Sequence, residues 1–167
     1  MEPDPFTKVY DALWFMANRN DALTTLIKLN NRIDYAKWIG AKDDISTADT
    51  PELSLIVDGG MWNFQYTSSH CYIMRVYSWA VTTGDFTITQ YNRILWELCR
   101  AMTDWDRYVC PVSWDGAQVV KNANQGDLTE GTLRVEQNRG IRGWASMWSL
   151  NVEFHIPTAL MRLPDTP

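Results

Sequence analysis

Glu153 and His155 stand two positions apart near the end of the chain, and both side-chain types ligate transition metals. In an extended strand that spacing puts them on one face, so they could supply two ligands of a metal site. A zinc site needs at least a third protein ligand, and the neighbouring sequence offers none. They read as solvated strand residues, and neither a metal nor any other cofactor is expected. Asp43-Asp44 could attract a hard cation, but the ligand spacing of a calcium loop is missing. Asp104-Trp105-Asp106 brackets an aromatic ring with carboxylates, yet glycoside hydrolysis needs carboxylates facing each other across a cleft. Asp58-Gly59-Gly60 is too short for a phosphate loop and reads as a hairpin turn. His70, alone at a strand end, reads as a surface residue. Cys71, Cys99 and Cys110 occupy core-like positions without paired spacing, and an odd count favours reduced thiols and a cytosolic origin. Gly-x-Ser-x-Gly, a Walker loop, a dinucleotide fingerprint and Cys/His metal spacing are all missing. No catalytic residue is expected.

The elements that would position these groups are organised around residues 71–102. Tyr72, Met74, Val76, Ser78 and Ala80 alternate with Ile73, Arg75, Tyr77 and Trp79, which predicts a central strand with one face toward a helix. The other face, with Arg75, Tyr77 and Trp79, is amphipathic and available to another subunit. A Thr83-Gly84-Asp85 turn leads to Thr87-Ile88-Thr89-Gln90, the pattern of a capping box, with Phe86 and Tyr91 placed as a hydrophobic staple. Tyr91, Ile94, Leu95, Leu98 and Met102 then form one apolar helical stripe, with Arg93, Glu97 and Arg100 outside it in solvent.

Before this unit, Asp4-Pro5 predicts a helix start, followed by Phe6, Val9, Tyr10, Leu13 and Ala17 at helical spacing. Asp21 is placed to cap a short second helix with Leu23, Leu26 and Ile27 apolar, and Arg32-Ile33-Asp34-Tyr35 reads as extended. Residues 36–51 form a polar loop. Two strands are expected at 52–57 and 61–67. After the unit, residues 108–112 read as a short edge strand limited by Pro111. Residues 115–142 read as a projecting insertion in which 118–121 pairs with 132–136. Residues 144–156 alternate most cleanly: Trp144, Ser146, Trp148, Leu150, Val152, Phe154 and Ile156 share one face, which predicts a long antiparallel strand with one side buried. Residues 157–167 read as a loose tail.

The 167-residue length suits a single domain. The expected fold is α+β: a mainly antiparallel sheet, an N-terminal helix pair and one long capped helix on one face, plus the projecting hairpin. A formal charge of −5 argues against a general binder of nucleic acid or anionic membrane. No apolar run is long enough to cross a bilayer, and the first residues do not read as a signal peptide. Nine Trp can fill a core, build an interface or stack on sugars; most lie in apolar periodic segments, which favours core and interface.

Asp21-Ala22-Leu23-Thr24-Thr25-Leu26-Ile27 with Arg32-Ile33-Asp34-Tyr35, then Pro51-Glu52-Leu53-Ser54-Leu55-Ile56-Val57, then Arg75-Val76-Tyr77-Ser78-Trp79 before the capped helix, and the final strand at 143–156, stand in a characteristic order. In that order the chain resembles the tail terminator (tail completion, neck) proteins of tailed bacteriophages. The resemblance implies a structural virion protein, assembled in the host cytoplasm, that forms a six-fold ring, caps the tail tube and joins it to the head–tail connector. It implies no catalysis and no cofactor. Its partners would be further copies of itself, the tail tube protein and the connector, with DNA passing through the lumen without specific binding and no membrane involved. The interface candidates are Arg75, Tyr77 and Trp79 in the central strand and Val119, Lys121, Leu133, Arg134 and Glu136 in the projection. The alternatives are a head-closure or other neck connector protein, a Trp-rich carbohydrate-binding module, and a small cytosolic enzyme.

Overall fold

A computed structural model describes residues 2–27, 52–63, 68–83, 87–129, 132–136 and 141–162. The Arg32-Ile33-Asp34-Tyr35 segment, the 36–51 loop with Asp43-Asp44, residues 64–67 of the second expected strand, Gly84-Asp85 of the expected turn and Phe86 of the expected staple lie outside the described residues.

The chain begins with helix α1 (Pro5–Asn18). The Asp4 carboxylate accepts hydrogen bonds from the amides of Phe6 and Thr7, both at 3.0 Å, and so satisfies amides that the first turn leaves without partners. Helix α2 (Asp21–Leu26) is capped by Asn20 rather than Asp21: Asn20 Oδ1 accepts the Leu23 amide at 3.1 Å. Either residue type could do this. Asn20 is in place because its amide also donates to the Glu97 carbonyl at 2.9 Å, which ties α2 to the long helix.

Strand β1 (Glu52–Asn63) is continuous. The 52–57 and 61–67 strands are therefore not joined by a hairpin at Asp58-Gly59-Gly60. That stretch is a register irregularity inside one strand, between Val57 and Gly60, as expected of a β-bulge. A Cβ at Gly60 would lie 1.9 Å from the Tyr72 hydroxyl, so the close approach of that ring requires glycine here. Strand β2 (Ser69–Thr83) pairs antiparallel with β1 along its length.

Helix α3 (Ile88–Met102) follows with the expected capping box: Gln90 N donates to Thr87 Oγ1 at 3.3 Å and Thr87 N to Gln90 Oε1 at 2.9 Å. Its stripe of Tyr91, Ile94, Leu95, Leu98, Ala101 and Met102 is buried. Glu97 departs from expectation, being buried instead of solvated. It is held by Asn20 and by two bonds from Arg100 Nη1, at 3.0 and 3.1 Å, which supply the partners that a buried carboxylate needs.

The edge strand expected at 108–112 does not form. Helical turn α4 (Trp105–Tyr108) and a further turn carrying Pro111 occupy that region. The chain then makes a small hairpin, β3 (Ser113–Trp114) with β4 (Ala117–Gln118). Its two central residues, Asp115 and Gly116, both take positive φ, 47° and 74°, as a two-residue hairpin of this hand demands.

Strands β5 (Val120–Leu128) and β6 (Thr132–Glu136) do not pair with each other as a projection. Both pair with β7 (Ile141–Pro157), the long final strand, along the edge that β2 leaves free. Thr129 continues the ladder between them, its amide donating to the Met147 carbonyl at 2.8 Å. A short hairpin has too little apolar surface to stand alone, whereas the edge of β7 offers a ladder of backbone partners. The five-stranded sheet has the order β1-β2-β7-β5, with β6 beside β5 on β7. The 157–167 tail is not loose throughout, for Thr158–Met161 forms a helical turn, α5.

The fold is α+β, with an antiparallel sheet and the described helices on one side. Met74 and Val76 of β2 and Trp148, Leu150, Val152, Phe154 and Ile156 of β7 are buried with the apolar faces of α1, α2 and α3 in one core cluster. Phe6 of α1 anchors one end, edge-on to Tyr72 (5.1 Å) and Phe154 (5.0 Å). Among the described residues no helix is long and apolar enough to cross a membrane.

Candidate functional site

The alternation that buries Met74, Val76, Leu150 and Val152 under the helices turns the intervening residues to the opposite face of the sheet. There Ile73 and Arg75 of β2 and Asn151 of β7 are exposed, Met147, Ser149, Glu153 and His155 are half-buried, and Met61 of β1 is 66% exposed. The helices of the described chain lie on the other face.

Within this open face the register brings together three groups that the sequence keeps far apart. Cys71 of β2 is the direct cross-strand partner of His155 of β7, and Glu153 is two positions further along β7 on the same side. Cys71 Sγ lies 3.5 Å from His155 Nε2 and 3.8 Å from Glu153 Oε1, and His155 Nε2 is 2.7 Å from the same Glu153 oxygen. Among the described residues these three donor atoms, all within 4.8 Å of one another, form a set able to hold a metal ion. The third ligand that local spacing does not show is thus Cys71, supplied 84 positions before His155.

Cys71 is buried, yet it stands apart from the helix-covered core cluster, and Glu153 and His155 lie beside it. Burial pushes its thiol above the ordinary range, and the negative charge and hydrogen bond of Glu153 push the same way, against a smaller opposite effect from Lys121. A nucleophilic cysteine needs the reverse, a thiolate stabilised by its surroundings. The connectivity also differs from a catalytic triad, in which thiol and carboxylate engage opposite nitrogens of the ring. Here both converge on Nε2. Cys99 and Cys110 are likewise free, with thiols raised chiefly by burial.

Asp104, Glu2 and Asp4 have structural partners instead. Asp104 forms an ion pair with Arg19, whose guanidinium also lies 4.8 Å above the Tyr108 ring; it faces Arg19, not Asp106 across a cleft. A groove lined by Glu2, Pro3, Asp4, Trp114, Asp115 and Leu160 contains two carboxylates. Glu2 is bound by Lys8 and the Asp115 amide, and Asp4 caps α1.

Of the interface candidates, Arg75 is exposed on the open face and Lys121 is exposed on β5. Val119 must be removed from the set: it is fully buried in the core cluster, its carbonyl accepting the His155 amide at 2.8 Å. Tyr77 and Trp79 continue β2, and Leu133, Arg134 and Glu136 lie in β6 opposite Trp144, Gly143 and Ile141, but their side chains lie outside the described residues. Of the tryptophans with described side chains, Trp96 on α3 is the exposed one, at 63%. A row of stacking platforms for a sugar chain is thus not found among the described residues.

No family model matches this chain, and comparison with curated proteins gives no match.

Proposed function

We propose that this chain is a structural assembly protein that acts by shape and self-association, as a phage tail terminator does, and performs no bond-making chemistry. The observation that carries the reading is that the described helices cover one face of the sheet, while the other bears exposed Met61, Ile73 and Arg75. Met61 and Ile73 are cross-strand partners, and adjoining exposed apolar side chains, where they extend into a contiguous patch, mark an interaction surface. A repeated head-to-tail contact that closes on itself makes a ring and limits growth. In such a ring one end would meet the tail tube and the other the head–tail connector. The chain's acidic balance would let DNA pass through the lumen without being held.

Native mass spectrometry tests this directly. The expected species is a closed ring near six times the chain mass of 19.3 kDa, and Ile73→Asp should shift it to monomer while leaving circular dichroism unchanged. A wild-type monomer that persists at high concentration would overturn the proposal.

A further inference from the structure

We infer that Cys71, Glu153 and His155 form a binding site for a zinc-type divalent cation on the open face of the sheet. The argument starts from the distances. In a tetrahedral zinc site the bond lengths to sulfur, nitrogen and oxygen place donor pairs about 3.4–3.6 Å apart. The Sγ···Nε2 separation of 3.5 Å already has that size, and the Sγ···Oε1 separation of 3.8 Å has to close by about 0.2 Å. The Nε2···Oε1 contact of 2.7 Å is a hydrogen bond and must open by about 0.7 Å to reach the same geometry. Glu153 has the freedom to make that movement, because its side chain is 34% exposed.

The donor set selects the ion. A thiolate, an imidazole and one carboxylate suit zinc, whereas calcium and magnesium require oxygen shells. Thiolate and carboxylate together neutralise a divalent ion, so the charge need not be compensated by more distant groups. The field of Lys121 reaches Cys71, but Lys121 is exposed and screened. Three protein ligands leave a fourth position for water, the arrangement of an open site. The partial exposure of His155 and Glu153, 20% and 34%, gives solvent access to that position.

Two strands hold the ligands rigidly. Cys71 and His155 are paired by the backbone ladder, which places their Cβ atoms about 4.5–5.5 Å apart. The His155 amide is tied to Val119 on the other side at 2.8 Å. The site is independent of whether the chain forms rings, since all three ligands come from one copy.

The test uses the full-length protein, stripped with a chelator under reducing conditions and titrated with Co2+ and then Zn2+. One equivalent of Co2+ should produce a thiolate-to-metal charge-transfer band and the intense visible bands of four-coordinate cobalt, both erased by Zn2+. Cys71→Ala, His155→Ala and Glu153→Gln should each weaken binding by more than the about 10–100-fold that loss of a mere supporting partner costs. Cys99→Ala and Cys110→Ala should leave it unchanged. Peptide mapping of thiol alkylation on the unmutated protein covers the case in which a variant fails to fold: Zn2+ should slow modification of Cys71 and not of Cys99. Lack of a charge-transfer band at saturating Co2+, or protection that maps to Cys99 or Cys110, would overturn the assignment.

Discussion

At the scale of single residues, side chains with a local task behave as their types predict, and those with a distant partner do not. Asp4, Thr87 and Gln90 cap the helices they precede or begin, with every bond inside one turn. Glu97 looks like a solvent-facing charge from its own helix, yet Asn20 and Arg100 enclose it. The Asp4 carboxyl gives a measurable consequence. Burial is the largest single influence and raises it, but the Thr7 hydroxyl and the Thr7 and Phe6 amides together outweigh burial and hold it below its ordinary value of 3.8. A depressed folded value means that its stabilisation is present above the unfolded value and disappears as pH falls through the folded one. Asp4→Ala should therefore cost about 1 kcal/mol at neutral pH, and the gap from wild type should narrow in urea melts as pH is lowered progressively below 3.8.

At the scale of elements, the two Asp-Gly pairs show how little a dipeptide decides. Asp58-Gly59 has the composition of a hairpin turn, yet it falls within β1, because β2 continues to offer backbone partners on both sides of it. Asp115-Gly116 does make the turn, between strands of two residues each. Gly116 has open space around its Cβ position, so a substitution there meets conformational cost alone. Gly116→Ala should lower stability by about 1–2 kcal/mol in a thermal melt, with no change in the rest of the sheet by amide NMR shifts. β5 and β6 make the same point on a larger scale: their alternation marks them as strands, but β7 rather than either of them is the partner.

At the scale of the whole molecule, β7 is the member on which the others converge. It pairs with β2 on one edge and with β5 and β6 on the other, while its apolar side chains meet the helices. Amides in regions that open only with global unfolding exchange slowest. Hydrogen exchange should thus be slowest in residues 148–156 of β7 and 71–76 of β2, and fast in the β3–β4 hairpin. Slower exchange at the hairpin than in β7 would contradict this account of the core.

Much of the fold was legible because helix caps, apolar stripes and two-residue alternation are local signals. The periodicity of 144–156 told which side chains of β7 face inward, and the structure buries or half-buries each of them. The Cys71–Glu153–His155 cluster was not legible. Glu153 and His155 share a face by their spacing alone, but the position of Cys71 opposite them depends on the register of β2 against β7, and a slip of one residue would turn it to the other side. The sequence by itself determined what each segment would be and which of its faces is apolar, since backbone sterics and side-chain periodicity act within a few residues. Tertiary structure alone decided which strands are neighbours and which distant side chains meet, because pairing and register follow from burying those apolar faces together.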